Sequence, residues 1–211
     1  MQLEAYLEHD DRIVLPLGST EQHAYLSLAT DAILAERVAA EAAEPLEVPV
    51  LPALAYGVTP HFGAYPGSPS LTRETYVAAL NELDASLRAQ GFRRVLLVNG
   101  HGGNSFAAEH VDAGWHDWWR APRVWEAVRA LDPAGTHASW MENFPWTRLA
   151  GVELPGGAKP EVATPLPDDP AAVRGALGDG SYGGAYARAD RDLLAVWTVG
   201  VEETREQIET L

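Results

Sequence analysis

Apolar residues fall into two kinds of run along the chain, and their alternation predicts the fold. Arg12 to Leu17 (RIVLPL) and Phe92 to Val98 are short, nearly unbroken apolar stretches, the pattern of strands buried on both faces. Between them the apolar positions are spaced for helices. Asp31 to Ala43 consists of good helix formers, with Ile33, Leu34 and Val38 able to face a core and Thr30 or Asp31 suited to cap the start. Thr72 caps a second helix whose Tyr76, Leu80, Leu83 and Leu87 form one stripe, closed by Gly91. Pro45 ends the first helix, a strand is predicted at Glu47 to Leu51, and residues 53–70 (ALAYGVTPHFGAYPGSPS) form a Gly/Pro-rich loop of functional length.

The remaining pattern predicts a short helix or arm at residues 3–9, a helix from Ser105 to Trp119 and a strand from Arg123 to Val128. Residues 137–149 fit no regular element. Gly151 to Asp169 reads as a surface excursion, Leu177 to Gly184 as a Gly-rich turn, and Ala185 to Leu211 as a long, charged, broken helix. Strand and helix in alternation point to an α/β domain with a mainly parallel sheet and right-handed crossovers. With no internal repeat, residues 1–211 are expected to form one domain.

Charge narrows the partners. Fifteen basic residues against 30 acidic ones leave a net charge of -15, which repels nucleic-acid backbones and anionic lipid and favours a small neutral or cationic substrate. The absence of cysteine removes disulfides, thiol nucleophiles, iron-sulfur clusters and thiolate zinc sites, so any metal must be held by His, Asp and Glu. The first residues, MQLEAYLEHDD, carry no basic or apolar leader, and no run approaches the roughly 18 apolar residues of a membrane span, so a cytoplasmic protein is expected. Six tryptophans between Trp115 and Trp146 belong either to a core or subunit interface or to a pocket wall.

The candidate chemistry sits in the loops that leave the two strands. Gly18-Ser19-Thr20 leads to Glu21 and His23, with Asp31 at the far end of the loop; Asn99-Gly100 leads to His101, which stands among glycines. If the strands are parallel neighbours, their exits gather all four side chains on one edge of the sheet, and carboxylate with imidazole is the ligand set of a divalent transition metal. Plainer roles exist: Glu21 and His23 solvated, His101 bonded to its own turn, Asp31 as a helix cap. His137 and Glu142, five apart, could meet as a proton-transfer histidine beside a carboxylate. His61 either lines a pocket or faces water, and His110 and His116 read as structural or exposed. Neither a G-x-S-x-G elbow nor a phosphate loop is present.

GSTEQH, Asp31 at the following helix start, AYGVTPHFGAYPGSPSLT, LLVNGHGGN, HASWME and the late GALGD occur in an order that resembles the creatininase (creatinine amidohydrolase) family across nearly the whole chain. The resemblance implies a three-layer α/β/α sandwich with a mainly parallel central sheet, assembled as a homo-oligomer, often a hexamer. It implies a divalent-metal site with two ions per subunit, Zn2+ or alternatively Mn2+ or Fe2+, that hydrolyses a C-N amide or cyclic amide bond of a small molecule. Formamide deformylases and a precursor-peptide peptidase belong to the same family and are the alternative activities; a non-catalytic metal-binding scaffold is the alternative of another class. Carried over by position, the resemblance makes Glu21, His23, Asp31 and His101 metal ligands, Asp31 the bridge, His137 the catalytic acid/base and Glu142 a ligand or its support. The pattern departs at Ser139 to Phe144 and at Gly103, which stands where creatininase has a metal-binding glutamate.

Overall fold

Residues 2–211 are described in a computed structural model of the chain. A short helix α1 (Gln2–Tyr6) precedes strand β1 (Arg12–Leu17), helix α2 (Thr30–Ala43), helix α3 (Arg73–Ala89) and strand β2 (Arg94–Asn99). Strand β3 (Gly114–Asp117), helix α4 (Pro122–Leu131), strand β4 (Ala158–Lys159), helix α5 (Pro170–Leu177), strand β5 (Gly184–Ala185) and helix α6 (Asp190–Glu209) follow. Strands β1, β2 and β3 form a parallel sheet in that order, and β4 pairs antiparallel with β5.

The middles of β1 and β2 are apolar because both faces of the sheet are covered. Ile13, Leu15, Leu17, Val95 and Leu97 point to one side, where Tyr76, Leu80 and Leu87 of α3 meet them. Val14, Leu96 and Val98 point to the other, against Leu34 and Val38 of α2, Val124 and Val128 of α4, and Leu193 and Trp197 of α6. The result is an α/β sandwich with one helix layer on each face. Thr72 caps α3 as its sequence predicts, its hydroxyl accepting from Thr75 N-H. The β1–β2 register pairs Leu17 with Asn99, so the two chains leave the sheet side by side.

Four sequence expectations change. Residues 47–51 do not form a full strand; this stretch runs parallel to β1 but touches it only at Val14–Val50 and Leu17–Leu54 bridges, because Pro49 and Pro52 remove ladder donors. The helix expected over 105–119 is instead a 3-10 turn, Gly102–Glu109, followed by β3, whose Trp115 and His116 alternate across the sheet. The strand expected over 123–128 is α4: Pro122 opens it, and Val124 and Val128 fall on one buried face at helical spacing. Its first turn lacks an N-cap side chain, and the buried Glu203 of α6 accepts from Arg123 and Val124 N-H instead. Finally, the C-terminal helix is unbroken over 20 residues; Gly200 at its middle allows close packing, since a Cβ there would lie 3.1 Å from the Trp118 ring.

At the end of the sheet away from the strand exits, Asp10 accepts from Arg12 at 2.6 Å and from Arg94 at 2.9 Å. The hydrogen bond from Arg12, opposed by partial burial, holds the Asp10 carboxyl at about 2, below its ordinary 3.8. A lowered carboxylate contributes stability that is complete above about pH 4 and is lost as the pH falls towards 2. Asp10→Asn is expected to lower stability at neutral pH and flatten its decline across that acid window, measured by urea unfolding at several pH values. Leu80→Ala, at a buried core position, is expected to cost about 2–5 kcal/mol by the same measurement, with the urea slope unchanged.

Candidate metal centre

Six polar side chains converge where β1 and β2 leave the sheet. Glu21 and His23 stand on the loop after β1, Asp31 in the first turn of α2, His101 just beyond β2, His137 on the loop after α4, and Glu142 at the end of the 3-10 turn Trp140–Glu142 that follows. Glu21, His23, Asp31 and His101 are 1%, 0%, 2% and 7% exposed, which rules out the solvated reading for all of them. Asp31 does not cap α2, because no side chain bonds the N-terminus of that helix. Its carboxylate faces the cluster: Oδ1 lies 3.0 Å from His23 Nε2 and Oδ2 lies 3.0 Å from His101 Nδ1. Glu21 Oε1 lies 3.4 Å from His101 Nδ1 and 3.6 Å from His137 Nδ1, and Glu142 Oε2 lies 3.7 Å from His23 Nε2.

Each of the three imidazoles spends its outer nitrogen on a backbone carbonyl. His23 Nδ1-H donates to Glu21 O at 3.1 Å, His101 Nε2-H to Val58 O at 3.1 Å, and His137 Nε2-H to Gln22 O at 3.1 Å. Carbonyls accept only, so these nitrogens carry the proton and the inner nitrogens present lone pairs to the carboxylates unless they take up a second proton. His23 Nε2 and Asp31 Oδ2 are buried and make no hydrogen bond despite their near neighbours. Lone pairs facing carboxylate oxygens at 3.0–3.7 Å repel unless positive charge lies between them. Three overlapping donor groups result: Glu21, Asp31 and His101; His23, Asp31 and Glu142; and Glu21, His23 and His137. Asp31 belongs to the first two, and nitrogen and oxygen donors of this kind suit borderline divalent cations.

Electrostatics point the same way. Burial lowers His23, but the carboxylates of Asp31, Glu142 and Glu21 together outweigh burial and lift it to about 10. His101 is likewise lifted well above its ordinary value, against burial, by Glu21 and Asp31. Burial pushes Asp31 and Glu21 up, and the neighbouring imidazoles pull both below the carboxylate range. His137 goes the other way, lowered to about 4 by burial and by His23, whose ring centroid lies 4.4 Å away. Burial lifts Glu142 to about 7, even though His23 pulls it down. Protons on His23 and His101 would thus occupy the places that cations would fill, and ion binding there would release them.

The loop 136–142 gains its shape from local bonds. Ser139 Oγ donates to Thr136 O and accepts from Thr136 N-H, Ala138 takes a left-handed backbone (φ 55°), and Ala138 N-H donates to Glu142 Oε2 at 2.6 Å. Glu142 therefore faces His23, not the His137 that sequence proximity paired it with. His137 is oriented instead by Gln22 O and by the rings of Phe62 and Tyr182, each 5.0 Å away. Gly103 has a local reason to lack a side chain: a Cβ there would lie 2.1 Å from Val58 O and 2.4 Å from His101 Nε2. A glutamate at this position would break the bond that orients His101.

Sequence reading missed the support beneath His101. Asn104, fully buried, donates to Gly18 O at 3.1 Å and accepts from Val58 N-H at 3.0 Å, tying the β1 exit to the loop whose carbonyl holds His101. Asn99 donates to His101 O and to Asp117 Oδ1, both at 2.7 Å, anchoring the turn to β3. The tryptophans divide between both proposed roles: Trp118 and Trp140 are core, while Trp119 and Trp125 wall a cleft of about 820 Å3 that opens onto Glu21, Asp31, His101 and Glu142. His61 lines the rim of this cleft, His110 is exposed, and His116 is buried against Thr204.

Fold and site together define an α/β sandwich protein with a buried carboxylate-imidazole cluster at the carboxyl edge of its parallel sheet. The chain belongs to the creatininase family, whose model, described as creatinine amidohydrolase, matches residues 1–146. Members of that family are hydrolases. The chain is 37% identical over 123 residues to the mycofactocin precursor peptide peptidase of Mycobacterium tuberculosis (strain CDC 1551 / Oshkosh), covering 49% of each. It is 32% identical over 148 residues to the creatinine amidohydrolase of Pseudomonas putida, covering 63% of this chain and 56% of that one. The chain spans about half the length of the curated relatives it matches. A solved structure described as creatininase Mn shares the fold, with a TM-score of 0.77 at 22% identity over 99% of this chain and 94% of that one. No helix among the described residues is long and apolar enough to cross a membrane.

Asn104→Ala leaves Val58 N-H and Gly18 O without their buried partner and is expected to cost about 1–3 kcal/mol in urea unfolding. By loosening the carbonyl that orients His101, it is also expected to weaken divalent-ion binding about 10-fold in a metal titration.

Proposed function

We propose that this chain is a metal-dependent hydrolase that cleaves a C-N amide bond, with Glu21, Asp31 and His101 holding one divalent ion, and His23, Asp31 and Glu142 a second. The observation that carries the reading is the inward lone pairs of histidines locked by backbone carbonyls around buried carboxylates. Manganese, named with one structural neighbour, and zinc both suit the donor set. A divalent ion in such a site supplies Lewis acidity and lowers the pKa of a water from 15.7 towards about 7.

The chain's own groups complete the chemistry. His137, neutral and aimed through Nδ1 at Glu21, can take a proton at Nδ1 and deliver it to a leaving nitrogen. In the Gly100–Asn104 turn, the N-H groups of Gly100, His101 and Asn104 already donate within the protein. Gly102 and Gly103, which line the cleft, are therefore the donors for a developing oxyanion. Trp119, Trp125, Phe62 and Met141 exclude water from the reacting end.

Peptide amides fit better than creatinine. A cleft of about 820 Å3 is sized for a ligand well above a single small ring, and the glutamate that creatininase uses is replaced by a glycine with no room for a side chain.

The test loads the purified protein with Mn2+ or Zn2+ and offers short peptides, creatinine and formamides. Hydrolysis of at least one is expected, lost on chelation and restored by the ion. His101→Ala and Asp31→Asn are expected to abolish it while circular dichroism stays native. Full activity after chelation or in either variant contradicts the reading, and bound metal without turnover of any amide favours the scaffold alternative.

A further inference from the structure

The cleft has a second polar end that the metal cluster does not use. Among the described residues lining it, Arg73 is the one arginine or lysine, in a chain of net charge -15 whose carboxylates Glu21, Asp31 and Glu142 supply the opposite end. Most of its counterparts are neutralised: Arg12, Arg88, Arg94, Arg120, Arg123, Arg148 and Lys159 all pair with carboxylates. Arg73 has no carboxylate within 4.0 Å among the described residues. The adjacent Glu74 feels the Arg73 charge through solvent but closes no ion pair within 4.0 Å, since consecutive helix residues do not face each other.

Nor is the side chain free to wander. The Arg73 guanidinium lies 3.7 Å above the centroid of the Phe106 ring, and Phe106 is itself packed beside Tyr76 and His110. Stacking satisfies one face of the guanidinium and leaves its N-H edge unused, the edge that grips a carboxylate through two parallel bonds. Phe106 belongs to the same 3-10 turn, Gly102–Glu109, that begins beside His101. One turn thus bears on both the metal cluster and the cation, and Trp119, Trp125, Phe62 and Met141 line the same cleft.

We infer that Arg73 is an anion subsite that selects amide substrates with an apolar or aromatic body and a free carboxylate, the body lying against the aromatic walls and the carboxylate on the guanidinium. The inference rests on the amide-hydrolase reading and refines it. It reverses the expectation drawn from overall charge: the carboxylates in the cleft face imidazoles, which leaves the Arg73 guanidinium as the cation in the lining without a carboxylate within 4.0 Å.

The probes are N-acetylphenylalanine and N-acetylphenylalaninamide, alike except for carboxylate against carboxamide. Affinity is read on the metal-loaded protein by quenching of tryptophan fluorescence. Wild type is expected to bind the carboxylate about 10-fold more tightly than the carboxamide. Arg73→Gln is expected to bring the ratio to about one, and Arg73→Lys to keep part of it as a point charge without the planar fork. Equal or absent binding of the two probes by wild type overturns the inference. So does a carboxylate preference that survives in Arg73→Gln, since that marks a carboxylate seated on the metal. Turnover is scored separately: an Arg73-dependent preference with no hydrolysis of any amide sinks the hydrolase reading and leaves the subsite standing.

Discussion

Three imidazoles, His23 and His101 buried and His137 half-buried, whose outer nitrogens are committed to backbone carbonyls and whose inner nitrogens face carboxylates, form the constraint on which the rest of this molecule turns. In a low-dielectric interior neither the lone pairs nor the carboxylate charges can be left to themselves. Protons satisfy the arrangement in part, on His23 and His101. Divalent cations satisfy it fully, because one ion can be shared by several donors that a proton can only join in pairs. The cluster is therefore costly to fold and chemically poised, a combination common at functional sites.

The fold is organised to bear that cost. Parallel pairing of β1 and β2 in register places Gly18 next to Gly100, and each strand ends by delivering its loop to the same edge. Helix layers on both faces bury the strands so completely that their exits have little freedom. Asn99, Asn104 and Asp117 then tie those exits together with hydrogen bonds between distant segments. Most of these side chains stand on loops, and the loops are held at both ends by the sheet and by Asn99 and Asn104, so the site takes its precision from the sheet.

How much of this was legible in the sequence depended on whether the cause was local. Arg12 to Leu17 and the stripe from Tyr76 to Leu87 were readable because their burial pattern repeats within a few residues. Glu21, His23, Asp31 and His101 were readable as a set because glycine turns after apolar strands mark the functional edge of a parallel sheet. Residues 105–119 and 123–128 were not, because two short elements of opposite type shared one tryptophan-rich span. There, Gly114 and Pro122 said more than the apolar spacing did. The partner of His137 was hidden for another reason: Gln22 O, 115 positions away, is a backbone atom that no side-chain pattern announces. Asn104 and Arg73 share that obscurity, since each acts across loops or across a cleft. The resemblance supplied the identity of the site, and the structure added the reason Gly103 is glycine.

Family membership is the ground on which a class of chemistry is proposed for this chain, and the cleft is the ground for proposing its substrate. The chain is similar both to a peptidase acting on a peptide precursor and to a creatinine amidohydrolase, so the family alone does not fix a substrate, and the lining of the cleft is where a choice can be read. Here those walls are aromatic, with a single stacked arginine at the rim. The central claim is that the inner nitrogens of His23 and His101 are metal-facing. Anomalous diffraction from crystals grown with Mn2+ or Zn2+ tests it most directly. The account predicts density at about 2.0–2.2 Å from Asp31 oxygens, His23 Nε2 and His101 Nδ1. Crystals holding no ion at this cluster, with both histidines remaining doubly protonated in excess metal, would contradict it.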